Sequence, residues 1–458
     1  MNINQAKRLV LTILLLLSAA VFQLPAQQAE PLRKLFLESK AKAEKGDASA
    51  QSSLGVMYAT GDGVAKDEVE AAKWHRKAAE QNYAIAQFNL GVCYAKGRGV
   101  TQDYVEAVKW YRKAAAQDLA EAQSNLGARY NIGQGVTQDH VEAVKWFRKA
   151  AEQNDAGAQH NLGVCYANGQ GVTQDYVEAV KWYRKAAAQD LAGAQSNLGG
   201  CYATGQGVAK DDMEAVKWFR KAAEQNFAEA QGSLGLCYAK GQGVAKDDVE
   251  AVKWFRKAAA QNIAEAQYNL SFHYNTGQGV TQDHVEAVKW FRKAAEQNHA
   301  GAQYNLGVCY ASGQGVAKDE VEAVKWIRSA AAQNHPEAQY NLGVFYTTGQ
   351  GVTKDVVEAV KFYRKAAEQG LAVAQASLGD LLSDEFTPQT DYAEAYVWLS
   401  LAGMQGHLVS RSLSRGVMRK LTPEQLQQAT NRLSTLVQKM PANGKAGPQY
   451  PKAAPKTP

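Results

Sequence analysis

A Leu-Gly dipeptide returns every 36 residues along this chain. It stands at Leu54-Gly55, Leu90-Gly91, Leu126-Gly127, Leu162-Gly163, Leu198-Gly199, Leu234-Gly235, Leu306-Gly307, Leu342-Gly343 and Leu378-Gly379, with Leu270-Ser271 in the remaining register. Ten periods run from about Asp47 to Gly406 without an insertion. Repeats of this length are single supersecondary units that cannot bury their apolar faces alone, so stacking completes the core. One elongated stack is therefore expected, in place of the two or three domains that 458 residues otherwise suggest.

The unit Ala84 to Leu119 shows the local logic. Ala86, Gln87, Leu90, Gly91 and Tyr94 fall at helical spacing and predict a first helix over 84–96. Gly97 ends it in the left-handed region and Gly99 relaxes the turn. Asp103 then caps a second helix, and Glu106 is spaced to reach back to the cap residue. Both acids recur in all ten units, from Asp67 to Asp391 and from Glu70 to Glu394. Ala107, Trp110, Tyr111, Ala114 and Ala115 form the packing stripe of the second helix. All nine Trp of the chain fall in the Trp110 register, with Phe362 in the tenth place. A Gly inside a helix costs about 1 kcal/mol, so its reuse after Leu90 and its equivalents predicts a partner helix packed close against it. Ser271 is the smallest replacement carrying a hydroxyl.

The pattern A-x-A-Q-x-x-L-G-x-x-Y-x-x-G-x-G-V-x-x-D-x-x-x-A-x-x-W-[YF]-R-K-A-A-[EA]-Q resembles the Sel1-like repeat, a relative of the tetratricopeptide repeat, over about four fifths of the chain. The resemblance implies an all-α fold: a right-handed α-solenoid of about ten 36-residue helix-turn-helix repeats. It also implies a role as an adaptor or scaffold for other proteins, and the chain is similar to exported bacterial members of that family.

The expected organisation is a signal peptide over 1–26, an N-terminal cap helix over 27–46, ten repeats over 47–406, C-terminal capping helices over 407–440 and a flexible tail over 441–458. Lys7 and Arg8 precede the apolar run Leu9 to Phe22, with Ala26 at the cleavage point. That run is shorter than the ~20 residues that span a bilayer, so no stable membrane anchor is expected after signal removal, and the protein is expected in the periplasm or secreted. In the N-terminal cap, Glu38 replaces the Trp. In the last repeat, Glu385-Phe386-Thr387-Pro388 replaces the Gly-x-Gly-Val loop. Thr422-Pro423-Glu424-Gln425 reads as a capping box with Pro at the first helical position. The chain carries a formal net charge of +6. Without the two cations of the signal and the three of the tail, residues 27–440 keep +1, which argues against a nucleic-acid partner.

No constellation of catalytic or metal-binding residues emerges, and no cofactor is expected. Cys93, Cys165, Cys201, Cys237 and Cys309 share one register. Stacked helix pairs put equivalent positions about 10 Å apart, beyond the ~7 Å that a disulfide bridges, so five unpaired apolar thiols are expected. Cysteine-rich Sel1-like proteins have been linked to β-lactamase activity, which makes a β-lactam or cell-wall hydrolase an alternative. Its only S-x-x-K candidate is Ser39-Lys40-Ala41-Lys42, without S-D-N or K-T-G. His140 and His284, like His299 and His335, read as solvent-facing filler. The recurrent Lys109, Arg112 and Lys113 read as a solvated face with local ion pairs.

Variation within a uniform stack marks positions free to meet a ligand. The second residue after Ala86 is such a position, holding Phe88, His160, Tyr268, Tyr304 and Tyr340 among ten occupants. The next residue is Asn in seven repeats, including Asn269, Asn305 and Asn341. By similarity to tetratricopeptide domains, this first-helix face lines the concave groove. Tyr and Asn suit contact with an extended peptide, and repeats seven to nine are the best stretch for an unknown protein or peptide of the cell envelope. Two other readings stay open: glycan binding along the aromatic groove, and tyrosines that only pack between first helices.

Overall fold

The computed structural model describes residues 30–439. The expected signal peptide and the tail lie outside the described residues. All regular structure among the described residues is helical. The chain forms two compact units, one ending at Phe227 and one beginning at Ala228.

In the N-terminal unit a helix over 30–44 precedes five pairs: Ala48–Thr60 with Glu68–Glu80, Ala84–Lys96 with Tyr104–Ala115, Ala120–Ile132 with His140–Glu152, Ala156–Asn168 with Tyr176–Ala188, and Ala192–Thr204 with Asp212–Glu224. The C-terminal unit holds five more: Ala228–Lys240 with Asp248–Ala260, Ala264–Thr276 with His284–Glu296, Ala300–Ser312 with Glu320–Ala332, Pro336–Thr348 with Val356–Glu368, and Ala372–Ser383 with Tyr392–Met404. Leu408–Met418 and Pro423–Lys439 follow. This is the helix-pair architecture of an α-solenoid.

The loop chemistry explains why the pairs form. Gly97 ends its helix at φ 66°, and its N–H donates to the Cys93 carbonyl. Gly99 (φ 67°) has a second reason to be glycine, because an added Cβ would collide with the Glu68 carbonyl oxygen of the preceding repeat. The Asp103 carboxylate accepts from the Val105 and Glu106 amides at 2.9 and 3.0 Å.

The expected reach of Glu106 back to the cap residue is not what the structure shows. The Asp103 N–H donates instead to the Tyr94 carbonyl at 3.0 Å, and equivalent bonds join all ten cap residues to the end of the first helix. With that donor occupied, the glutamate turns to the lysine three residues on, as in Glu142–Lys145 at 3.0 Å. At the C-terminus the box does close: the Thr422 N–H donates to Gln425 Oε1 at 3.0 Å and the Gln425 N–H to Thr422 Oγ1 at 3.3 Å.

Leu-Gly behaves as its cost suggested. A Cβ on Gly91 would lie 2.7 Å from the Tyr111 ring, and one on Gly235 would lie 2.7 Å from the Phe255 ring. Most core layers thus set an aromatic of the second helix against a first-helix glycine, between fully buried Leu and Ala, with Ile327 and Leu399 replacing the aromatic against Gly307 and Gly379. Ser271 fits by donating its hydroxyl to the Tyr268 carbonyl at 2.6 Å.

The Trp register is a correction. Trp110, Trp146, Trp182, Trp218, Trp254, Trp290 and Trp326 are only half-buried. Their outer faces are covered by a lysine, as where Lys257 Nζ lies 4.1 Å from the Trp254 ring centroid. The fully buried aromatic is the next residue, Tyr111 or Phe255 in its repeat. Trp74 is buried as well, and so is Trp398. The helix Pro423–Lys439 covers it through Ala429 and Leu433, and its indole donates to Glu394 at 3.0 Å.

Candidate functional site

The site predicted from sequence lies on the first helices of repeats seven to nine, all within the C-terminal unit. Tyr268, Tyr304 and Tyr340 are half-buried and pack against the core. Their neighbours fix them. Tyr268 stacks on His299 with ring centroids 4.5 Å apart, and Tyr304 stacks on His335 at 4.9 Å. Tyr340 leans on Tyr363 at 5.7 Å. The Asn305 amide donates to the Tyr268 hydroxyl, and the Asn341 amide to the Tyr304 hydroxyl, each at 3.5 Å. The predicted Tyr and Asn positions therefore meet in pairs, across one repeat joint at a time.

His299 and His335 are not the solvent-facing filler expected from sequence. They are N-caps. His299 Nδ1 accepts the Ala302 N–H at 3.1 Å, and His335 Nδ1 accepts the Ala338 N–H at 3.3 Å. Because Nδ1 accepts, the proton of His299 sits on Nε2, which donates to the Glu265 carboxylate at 3.0 Å. That hydrogen bond lowers the Glu265 pKa against the opposing effect of burial. Burial lowers the pKa of His335, opposed by the Glu337 charge. The signal in the sequence was the register they share with Asp155, another side-chain cap. His140 and His284 also have partners, with Nδ1 at 2.9 and 3.0 Å from the side-chain oxygens of Asn131 and Asn275.

Phe88 and His160 occupy the same register in the N-terminal unit and are not part of the run. Phe88 packs 5.9 Å from the Tyr111 ring and His160 5.9 Å from the Tyr183 ring. The Asn197 amide lies 3.1 Å from His160 Nε2, repeating the Asn-to-aromatic pairing with imidazole in place of phenol. Burial lowers the His160 pKa. Asn269 is half-buried beside Glu265.

Two contacts that sequence reasoning missed organise the joints within each unit. The buried glutamine of the Ala-x-Ala-Gln motif donates to the end of the preceding second helix, as Gln267 does to the Ala259 carbonyl at 3.2 Å. Its oxygen accepts from a glutamine 30 residues later, as Gln267 does from Gln297 at 2.7 Å. A shallow recess at that joint is lined by Asn262, Gln267, Lys293 and Gln297, side chains of the relay or beside it. On the second helices the arginine leaves the expected ion-pair pattern and donates to the next repeat's tyrosine, as Arg148 does to the Tyr166 hydroxyl at 2.9 Å.

The thiols are buried and form no disulfide with one another. Burial raises the Cys165 and Cys309 pKa to about 11, so both stay protonated at neutral pH. Ser39 is half-buried and Lys42 exposed on the helix over 30–44. Among the described residues no group of three or more His, Cys, Asp or Glu converges to hold a metal ion. Among the same residues no helix is long and apolar enough to cross a membrane.

Helix pairs in strict register, joined by repeated polar contacts, define a tetratricopeptide-like repeat protein. The Sel1 repeat model matches ten consecutive segments, from 48–83 to 372–407, and the chain belongs to the Sel1 repeat family. Two solved structures are similar. One is c5321, a protective antigen of uropathogenic Escherichia coli strains with an SLR fold, at 36% identity and TM-score 0.57, covering 91% of this chain and 99% of that one. The other is a Sel1 repeat protein from Oxalobacter formigenes, at 33% identity and TM-score 0.51, covering 67% and 88%. A search of the curated proteins finds no match. Sel1 repeat proteins are in general protein-interaction scaffolds.

Proposed function

We propose that this protein is an exported, non-catalytic scaffold that holds an extended peptide or protein segment of the cell envelope against the first helices of repeats seven to nine. The ladder of Tyr268, Tyr304 and Tyr340 carries the reading. Two of its rings are locked by a histidine stack and an asparagine hydrogen bond, and all three are only half-buried. A ring already held in place presents flat apolar area with little further entropy to lose on binding. Asn269, Asn305 and Asn341 place an amide beside each ring, suited to the main chain of an extended peptide.

Export rests on residues 1–26, with two cations, an apolar run and a small residue at the break. The similar Escherichia coli protein is described as a protective antigen, and an antigen must be reachable by antibody, which agrees with an exported chain. N-terminal sequencing of protein from fractionated cells should begin at Gln27. A chain kept in the cytosol with Met1 or Asn2 first contradicts export.

Binding is tested by quantitative affinity purification from the envelope. The wild-type chain is compared with a Tyr268→Ser, Tyr304→Ser, Tyr340→Ser variant whose helicity is verified. A partner enriched on wild type and depleted at least tenfold on the variant supports the reading; equal recovery contradicts it. The hydrolase alternative predicts turnover of a chromogenic β-lactam that Ser39→Ala abolishes, and the scaffold reading predicts no turnover by either protein.

A further inference from the structure

The helix Leu408–Met418 is turned partly inside out, although Val417 stays in the core. It buries Ser410 (1% exposed) and Ser414 (8%) and shows Leu408 (74%) and Val409 (64%) to solvent. The repeat register gives the reason. Ser410 and Ser414 stand where the repeats place the core Ala86 and Leu90, so small polar residues meet the last pair. They are satisfied locally: His407 Nδ1 lies 2.8 Å from Ser410 Oγ, and Ser414 Oγ donates to the Arg411 carbonyl at 3.1 Å. No such constraint calls for leucine and valine outside. Met404, at the end of the preceding helix, is also 61% exposed.

Cations share this exposed arc. At 3.6 residues per turn, Arg415 and Arg419 lie within about 40° of Leu408 around the helix, and both are exposed. Lys420 follows the helix end and pairs with Glu385 of the loop that carries the fully exposed Phe386. The charge is segregated along the chain as well. Residues 395–458 contain nine Lys and Arg and one acid, Glu424, a formal +8 in a chain whose whole net charge is +6. Residues 1–394 therefore carry −2 despite the two cations at Lys7 and Arg8.

We infer that this C-terminal face docks on an anionic lipid surface, with Leu408, Val409 and Met404 entering the interface and Arg415, Arg419 and Lys420 meeting the headgroups. Cations alone would suit any polyanion. Leucine between two arginines on one exposed helix face, with valine at its edge, is the mark of an interfacial helix, which adds apolar burial to attraction by anionic lipid. This docking is peripheral and independent of the tyrosine ladder.

The test is co-sedimentation of residues 27–458, which keep every described helix and whose helicity is checked by circular dichroism. The vesicles are phosphatidylglycerol/phosphatidylcholine mixtures and phosphatidylcholine alone, in about 50 mM salt. Binding to the anionic vesicles only is expected, weakened at least tenfold by Arg415→Glu with Arg419→Glu and severalfold by Leu408→Ser with Val409→Ser. All four side chains are exposed, so both variants should fold. No binding to phosphatidylglycerol, or binding that survives the arginine reversals, overturns the proposal. So does heparin binding at least as tight as vesicle binding and indifferent to Leu408→Ser with Val409→Ser, which would mark a general polyanion site.

Discussion

Gln297 donates its side-chain amide to Gln267 at 2.7 Å, and Gln267 passes a hydrogen bond on to the Ala259 carbonyl at 3.2 Å. Gln267 is only 1% exposed. A buried amide bonded on both ends welds one repeat to the last turn of the previous one. Gln267→Leu keeps the volume and removes three buried hydrogen bonds, to the Ala259 carbonyl, Asn262 Oδ1 and Gln297, so it should cost about 2–3 kcal/mol. A urea midpoint equal to that of wild type would show that the relay is ornamental.

The core aromatic and its tryptophan neighbour should differ clearly. Phe255 is fully buried against Gly235, and Trp254 is half-buried beneath Lys257. Phe255→Ala should therefore cost about 3–5 kcal/mol. Trp254→Ala should cost about half as much, because part of that ring never leaves water. Chemical denaturation of both variants decides this, and an equal or reversed order contradicts the packing.

Much of the architecture was legible in the sequence because ten copies repeat each instruction. The Leu-Gly spacing announced a close helix contact, and Asp67 to Asp391 announced the caps. What stayed illegible depended on which of two adjacent residues points inward. Trp254 and Phe255 are both apolar, and only the helix rotation fixed by Gly235 separates them. The glutamine relay was hidden for a related reason: Gln267 looks like an ordinary helix residue until Gln297 and Ala259 are brought to it. At the candidate site, the tyrosines were found by their variation within a uniform register. Their histidine partners were passed over because His299 and His335 sit in a turn, where solvent exposure is the usual expectation.

His75 makes the first repeat sensitive to acid. It occupies the core position held by Tyr111 and Phe147 elsewhere, and burial pushes its pKa down to about 4 from 6.5. The folded state then resists a proton that the unfolded chain accepts. Stability contributed by this residue is complete above pH 6.5, falls as pH drops from 6.5 towards 4, and levels off below, a loss of about 3 kcal/mol. His75→Phe should remove that part of the pH dependence of the melting temperature between pH 7 and 4.5. An unchanged profile in the variant contradicts the assignment.

The turns between repeats rely on a left-handed residue. Asn298 adopts φ 66°, and its side-chain oxygen accepts from Gln303 and Gln333, both at 3.1 Å. Asn298→Gly keeps the backbone and loses the bonds, whereas Asn298→Val is strained as well. The valine variant should melt below the glycine variant, by about 1 kcal/mol or more of stability. Indistinguishable melting of the two would mean that the turn relaxes freely.

The central claim is that repeats seven to nine present a binding face, and site-resolved photo-crosslinking in living cells tests it most directly. A photoreactive phenylalanine analogue at Tyr304 should give a discrete crosslinked partner in the envelope fraction. The same probe at Lys289, exposed on a second helix and paired with Glu286, should give none. Identical products from both positions, or none from Tyr304, Tyr268 and Tyr340 alike, would contradict the account.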